Sequence, residues 1–327
     1  MRTILTALGT ADALGKPFEQ SRDDRARYDW CHDPDNTFLA CADGGRQFGL
    51  GPDGEKPGAF TDDTQMAVAL AQSLVACGGF DADDVRRRYT AWYRGEGFGG
   101  RARGTGGTIR TALETGAPVD LRAGGQYVGN GAAMRVAPIG VWFRDDPAGL
   151  IAAARADARL THDSPEAEAG SVAVAVAIAA RMRSPTHDAN QATARGVWRD
   201  VFAARESQGS KYVSLQYTAV YAILRHAARC PRLPFFTMKG NGEFRSGGNV
   251  ADTVATAMLA AMPSEPDYTF EETVCDAIEF GGDTDTRAAI AAAIHAAREG
   301  STIPARWHGV EAREELLALD ARLWGRK

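Results

Sequence analysis

No stretch of this 327-residue chain is apolar for long enough to cross a bilayer. The longest apolar run, near 172–180, falls far short of the ~20 residues that a spanning helix needs. An export signal is missing too: the apolar run at 4–8 is broken by Thr6 and followed by Asp12, whereas a signal core takes ~7–15 apolar residues. Cysteine is sparse and unpaired in pattern. The five (Cys31, Cys41, Cys77, Cys230, Cys275) are odd in number with no CxxC spacing, which excludes a zinc ribbon and argues for free thiols in a reducing compartment. There is no excess of basic charge: Lys+Arg 37 against Asp+Glu 42 leaves −5, unlike a sequence-blind binder of nucleic acid or anionic membrane. HExxH, GxSxG, Walker A and Cys/His nucleophile signatures are all absent. A cytoplasmic protein is expected, with no nucleic-acid or membrane partner.

What is present is helix after helix. Hydrophobic content of 44% and charged content of 24% are ordinary globular values. Helical spacing of apolar residues predicts helices over 64–76, 81–93, 108–115, 148–160, 165–182, 189–204, 213–228, 250–261, 286–298 and 311–323, many of them stopped by Gly or Pro. The segment Ser171-Val-Ala-Val-Ala-Val-Ala-Ile178 alternates like a strand. It is too long for one, and Ser164-Pro165 opens it as a helix. Alternating Val and Ala suits a helix packed on all sides. No other series of strands is evident, so the class is all-α. Loops are expected at 29–60, 95–107, 121–131 and 230–249. Carboxylate-rich motifs lie at both ends of the chain, which favours one domain over 1–327, with a variable flap at about 20–60.

Two Asp/Thr clusters carry the chemistry. Thr61-Asp62-Asp63-Thr64-Gln65 opens one helix and Gly281-Gly282-Asp283-Thr284-Asp285-Thr286 opens another. Each offers an N-cap; Asp62 with Gln65 would form a capping box. Capping uses one carboxylate and leaves the others without a task. Carboxylates and Thr hydroxyls are hard oxygen donors, suited to Mg²⁺, Mn²⁺ or Ca²⁺ and not to Zn²⁺, and four carboxylates balance about two divalent cations, as in a two-metal site. Gly95-Glu-Gly-Phe-Gly-Gly100 matches GxGxxG in letters only, because a helix and not a strand precedes it. Gly104-Thr-Gly106-Gly107-Thr108 opens a helix whose backbone N–H groups could hold a phosphate, or serve as a plain connector. Gly129-Asn130-Gly131 is a tight turn, and His162 sits at a corner between helices. Cys31-His32 and Cys41 make three of the four ligands that a structural zinc requires, and no fourth is evident.

In their order these motifs resemble the ADP-ribosylglycohydrolase family: Asp12-Ala-Leu-Gly15 with Glu19, Thr61-Asp-Asp-Thr64, Gly104-x-Gly106-x-Thr108, Gly129-Asn-Gly-Ala132 with Met134-Arg135 and Pro138, Thr161-His162 with Pro165, and Gly281-Gly-Asp-Thr-Asp-Thr286. They span almost the whole chain. The resemblance implies one orthogonal bundle of many helices around a cleft with two Mg²⁺ or Mn²⁺ ions. It implies metal ligands at Thr61, Asp62, Asp63, Asp283, Asp285 and Thr286, with Asp285 bridging. It implies an ADP-ribose groove lined by Gly104, Gly106, Gly129, Asn130, Gly131 and His162, and a glutamate, Glu19, on a flap over the metals.

The implied activity is metal-dependent removal of ADP-ribose from a modified protein, arginine-linked in preference to serine-linked. Asp62 or Asp63 would orient the water, with Glu19 assisting. A cognate transferase or toxin is a further candidate partner, and a monomer is expected. Three departures stand out: Ala11 where the family usually has Gly, Arg287 and an Ala-rich run where it has further glycines, and Tyr127-Val128 ahead of Gly129. Two other readings stay open. One is a catalytically silent ADP-ribose-binding or partner-binding protein, against which the full ligand set counts; the other is a two-metal hydrolase of another small nucleotide.

Overall fold

The computed structural model describes residues 2–19, 21, 23–41, 56–122, 127–183, 247–261 and 268–325. The helices expected at 189–204 and 213–228 lie outside the described residues. Within them the chain forms twelve α-helices, here α1 to α12, and a single pair of two-residue strands. The all-α expectation holds. Eight expected helices are present with ends shifted by at most about two residues: α3 (Asp62–Cys77), α4 (Ala82–Tyr93), α5 (Gly107–Thr115), α7 (Pro147–Ala158), α8 (Pro165–Arg183), α9 (Val250–Ala261), α11 (Thr284–Ala296) and α12 (Arg313–Trp324). The Val/Ala segment is indeed a helix, and α8 is buried almost continuously from Ala167 to Met182.

Four further helices were not anticipated: α1 (Ile4–Gly15), α2 (Asp24–Cys31), α6 (Ala137–Trp142) and α10 (Phe270–Glu279). In α1 all twelve residues are buried, so it shows no polar stripe from which a period could be read. The signal for α10 was present. Thr269 and Glu272 form a reciprocal capping box, the motif expected instead at Asp62 and Gln65. Helix α3 has Thr61 at its N-cap position, without a side-chain cap bond, and Asp62 is its first residue. Gln65 turns away, accepting from Trp92 Nε1 at 2.9 Å and donating to the Arg101 carbonyl at 3.0 Å. It thereby pins the glycine-rich 95–100 loop.

Helices α1 and α11 form the central pair, and α11, buried along its whole length, also packs on α8, α9, α10 and α3. Its Ala-rich sequence allows such crowding, because a methyl side chain lets neighbouring axes approach closely. The closest approach is at Gly15. A Cβ there would lie 2.5 Å from the Thr284 carbonyl oxygen and 2.7 Å from the Asp285 Cα. Helix α12 closes the N-terminal end of α1, where Asp320 accepts from Leu5 N at 2.8 Å and from Thr6 N at 3.0 Å, capping α1 from the far end of the chain. Opposite, the parallel pair Val119–Asp120 and His162–Asp163 fixes His162.

Gly15→Ala is expected to cost at least about 2 kcal/mol, since the added methyl meets backbone that cannot swing aside. Gly9→Ala, whose methyl would meet only side-chain atoms of Thr64 and Leu316 at 3.1–3.2 Å, should cost less. Urea denaturation midpoints of the two variants check the order.

Candidate functional site

The chain brings two helix N-termini to one floor. At the start of α3, the cap is supplied from another helix: Asp12 of α1 accepts from Thr61 N at 3.0 Å, Thr61 Oγ1 at 2.9 Å, Thr64 N at 3.2 Å and Thr64 Oγ1 at 2.6 Å. Because Asp12 satisfies those N–H groups, Asp62 and Asp63 are released from capping. At the start of α11, Gly281 and Gly282 both have left-handed backbone, φ 73° and 72°, a double turn that other residues adopt only with strain. It delivers Asp283, Asp285 and Thr286 to the same floor. Both helix macrodipoles present their positive ends there.

Around the floor lies a cleft of about 270 Å³. Glu19, Asp62, Asp63, Gly104, Gly106, Gly129, Asn130, Gly131, His162, Asp283, Asp285 and Thr286 all line it. Thr61 sits beneath, fully buried, with its hydroxyl 3.3 Å from Asp63 Oδ2. Thr286 Oγ1 donates to the same oxygen at 3.3 Å, while Asp63 Oδ1 is buried without a hydrogen-bond partner. Asn130 donates through Nδ2 to Asp283 Oδ2 at 2.9 Å and to Thr253 Oγ1 at 3.0 Å. Its turn is zipped to the 248–250 backbone by Asn130 N to the Gly248 carbonyl and Val250 N to the Val128 carbonyl. His162 is buried with Nδ1 2.8 Å from Thr161 Oγ1. Burial, reinforced by the Arg135 guanidinium, lowers its pKa to about 3, so the ring is neutral at physiological pH.

Burying this many carboxylates sets them against each other. Burial, with the neighbouring acids adding to it, pushes Glu19 and Asp62 up to about 8 and Asp283 to about 7, and raises Asp63 strongly. Asp12 rises to about 6 for the same reasons. Asp285 is the exception. Burial acts to raise it, but the Lys16 ammonium and its hydrogen bonds hold it below the usual carboxylate range. Lys16 opens the short 3₁₀ turn Lys16–Phe18 that follows α1 and bonds Asp285 Oδ2 at 3.0 Å and Glu19 Oε2.

Four residues here escaped the sequence reading as site residues. Asp12 was visible in the first motif, but its capping of a distant helix was not. Lys16 lies between two motif positions, Gly15 and Glu19, which was the available signal. Tyr127, 60% exposed on the cleft rim, was noted only as a departure. Gly248 sits in a loop with no motif, yet a Cβ there would meet Asp283 Oδ2 at 2.4 Å. Cys31 and His32 do not assemble a zinc site with Cys41. Cys31 Sγ donates to the Cys275 carbonyl at 3.6 Å, and the metal-ready group among the described residues is Glu19, Asp283 and Asp285, with one oxygen of each within 4.8 Å of the others.

All 327 residues match the family described as ADP-ribosylglycohydrolase. The chain belongs to this family. ADP-ribosylarginine hydrolase Tri1 of Serratia proteamaculans is 29% identical over 266 residues, which cover 79% of this chain and 65% of Tri1. ADP-ribosylhydrolase ARH3 of Homo sapiens is 29% identical over 289 residues, covering 79% of this chain and 78% of its own length. A solved chain described as an ADP-ribosylglycohydrolase-related protein complex superposes with a TM-score of 0.66 at 27% identity, over 98% of this chain and 95% of that one. The family is metal-dependent, and the donor set here fits hard divalent cations: carboxylates and hydroxyls only, with a buried Asp63 oxygen lacking any partner. Among the described residues no helix is long and apolar enough to cross a membrane.

The raised carboxylates make metal-free stability pH-dependent. A carboxyl whose pKa is higher folded than unfolded holds its proton longer in the folded state, so stability falls as pH rises between the two values. With Asp283 near 7 and Glu19 and Asp62 near 8, the melting temperature of chelator-treated protein is expected to fall from pH 6.5 to 8.5. The buried histidines, lowered to about 3 and 4, oppose the fall near pH 6.5, where an unfolded imidazole is still half protonated, but three raised carboxylates outweigh them and their contribution fades above about pH 7.5. Excess Mg²⁺ or Mn²⁺ should reverse the fall and bind more tightly as pH rises. Differential scanning fluorimetry across the window, with and without metal, measures both.

Proposed function

We propose that this protein is a metal-dependent hydrolase that removes ADP-ribose from a modified protein side chain by cleaving the bond at C1″ of the distal ribose. The observation that carries the reading is the meeting of Asp62 and Asp63 from α3 with Asp283 and Asp285 from α11 on one cleft floor. Family membership across the whole chain supports the reaction class. Two Mg²⁺ or Mn²⁺ ions held by Thr61, Asp62, Asp63, Asp283, Asp285 and Thr286 would supply Lewis-acid charge that orients the ribose hydroxyls and an attacking water.

The chain's own groups do the remainder. Cleavage at C1″ develops oxocarbenium-like positive charge, which carboxylate oxygens turned toward C1″ would stabilise electrostatically. Asp62 or Asp63 orients the water and accepts its proton, with Glu19 assisting from the edge of the floor. The neutral imidazole of His162 and the amide of Asn130 give the groove hydrogen-bonding groups without a competing charge. Gly129 lets the sugar approach the backbone closely, Gly131 makes room for Ile109 and His162 in the groove wall, and the N-terminus of α5, formed by Gly106, Gly107 and Thr108, faces the cleft, where a phosphate fits.

An arginine acceptor is favoured. The relative named for arginine-linked ADP-ribose and ARH3 are equally similar at 29% identity, so the preference rests on the motif resemblance alone. Binding of a cognate transferase, a cytoplasmic setting and a monomeric state belong to the same reading.

Release of ADP-ribose from arginine-linked and serine-linked peptides, with Mg²⁺ or Mn²⁺ and with chelator, tests it. Arginine-linked release is expected to be the faster. Asp285→Ala should lower it by at least about a hundredfold, the scale for losing one preorganised electrostatic group, with helical circular dichroism retained. Tight ADP-ribose binding with no release from either peptide would instead favour a silent binding protein.

A further inference from the structure

The oxygen donors of the cleft floor form two adjoining groups, joined through Thr286, whose hydroxyl meets both Asp63 and Asp283. One centres on Asp63: its Oδ2 accepts from the Thr286 hydroxyl at 3.3 Å and lies 3.3 Å from the Thr61 hydroxyl oxygen, and its Oδ1 is buried without a partner. The other is Glu19, Asp283 and Asp285, whose oxygens lie within 4.8 Å of one another. The two groups differ in one respect. Lys16 Nζ bonds both Asp285 Oδ2, at 3.0 Å, and Glu19 Oε2, so the second group already contains a cation.

This lysine is built into the site. It is 4% exposed, and it follows Gly15, whose backbone is pressed against Thr284 and Asp285. Its stem therefore starts beside the carboxylate that its ammonium reaches. A buried ammonium bonded to two carboxylates offsets the repulsion among them, as a divalent ion would. An ion approaching Glu19 and Asp285 must break those bonds and then share the floor with a positive charge.

We infer that Lys16 is a resident cation of the Glu19–Asp283–Asp285 group, which makes the two divalent-ion positions unequal. The Asp63 side fills first; the Glu19–Asp285 side fills only as the Lys16 ammonium withdraws. The inference rests on the cation-dependent reading of the cleft, but its readout is binding and not hydrolysis.

Mn²⁺ titration of the full chain, with free Mn²⁺ followed by electron paramagnetic resonance at fixed pH and ionic strength, tests it. The unaltered protein should bind one ion tightly and a second at least about tenfold more weakly, the order expected for a neighbouring unit charge. Lys16→Met keeps the chain length and removes the charge; it should tighten the second ion at least tenfold. Lys16→Arg keeps the charge and should leave the second ion weak. Two ions of equal affinity in the unaltered protein would overturn the inference, whether or not Lys16→Met folds, as would unchanged binding in a folded Lys16→Met. ADP-ribose release with two equal ions would sink the inference and leave the hydrolase reading intact. Unequal ions without release would do the reverse.

Discussion

The contact on which the structure depends is the one between α1 and α11, at the point where Gly15 meets the backbone of Thr284 and Asp285. It unites the two ends of the chain, since α1 begins at Ile4 and α11 at Thr284. The same approach lets Thr284 Oγ1 donate to the Gly15 carbonyl at 2.7 Å, and it places the next two features of the chain, Lys16 and Glu19, over Asp285. A side chain at position 15 would separate the helices, and the floor of the cleft would open with them. Packing and site geometry are thus one constraint.

That constraint collects anions in a place where water cannot screen them. Several buried carboxylates on one floor would oppose folding if nothing answered them, because desolvated charge is costly. Here the answer is distributed. The N-termini of α3 and α11 supply positive dipole ends, Thr hydroxyls and the Asn130 amide donate hydrogen bonds, and Lys16 contributes a full charge. A second buried system stands behind the cleft: Arg135 bonds Asp157 at 3.0 Å with both side chains fully buried, and Tyr89 donates to the other Asp157 oxygen at 2.8 Å. Arg135 closes the turn that carries Asn130. This ion pair therefore holds the polar wall of the groove while its own charges cancel.

Much of the molecule is legible in its sequence, and the limits have physical causes. Helices with a polar face, such as α4, or with clear stops, such as α3 ending at Gly78, showed themselves through spacing and punctuation. Helix α1 did not, because complete burial erases the amphipathic period. Residues of the two Asp/Thr clusters stood out because their carboxylates exceeded what capping could use, and that excess is what the cleft contains. The assignment of Asp62 as its own helix's cap failed for a reason no local pattern carries: Asp12, fifty residues earlier, takes the role. Gly248 is silent for the same reason, and Lys16 shows only its place between two motif positions, since their importance comes from partners at positions 283 and 285.

Supplying a cap from outside also separates two duties that a helix start usually combines. Were Asp62 the cap of α3, every change in its ligand geometry would disturb the helix that positions it. With Asp12 holding the N–H groups of Thr61 and Thr64, Asp62 and Asp63 can protonate, ionise or take up a cation while α3 stays in place. At α11, Asp283 likewise occupies the cap position without a capping bond, and its Oδ2 accepts instead from Asn130. Both helices are anchored by neighbours, α3 through Asp12 and α11 through Gly15, and in both the acidic side chains face the cleft. A site that must change its charge during use is better carried by residues whose loss of charge does not unfasten the scaffold, and both acidic clusters of this fold are arranged in that way.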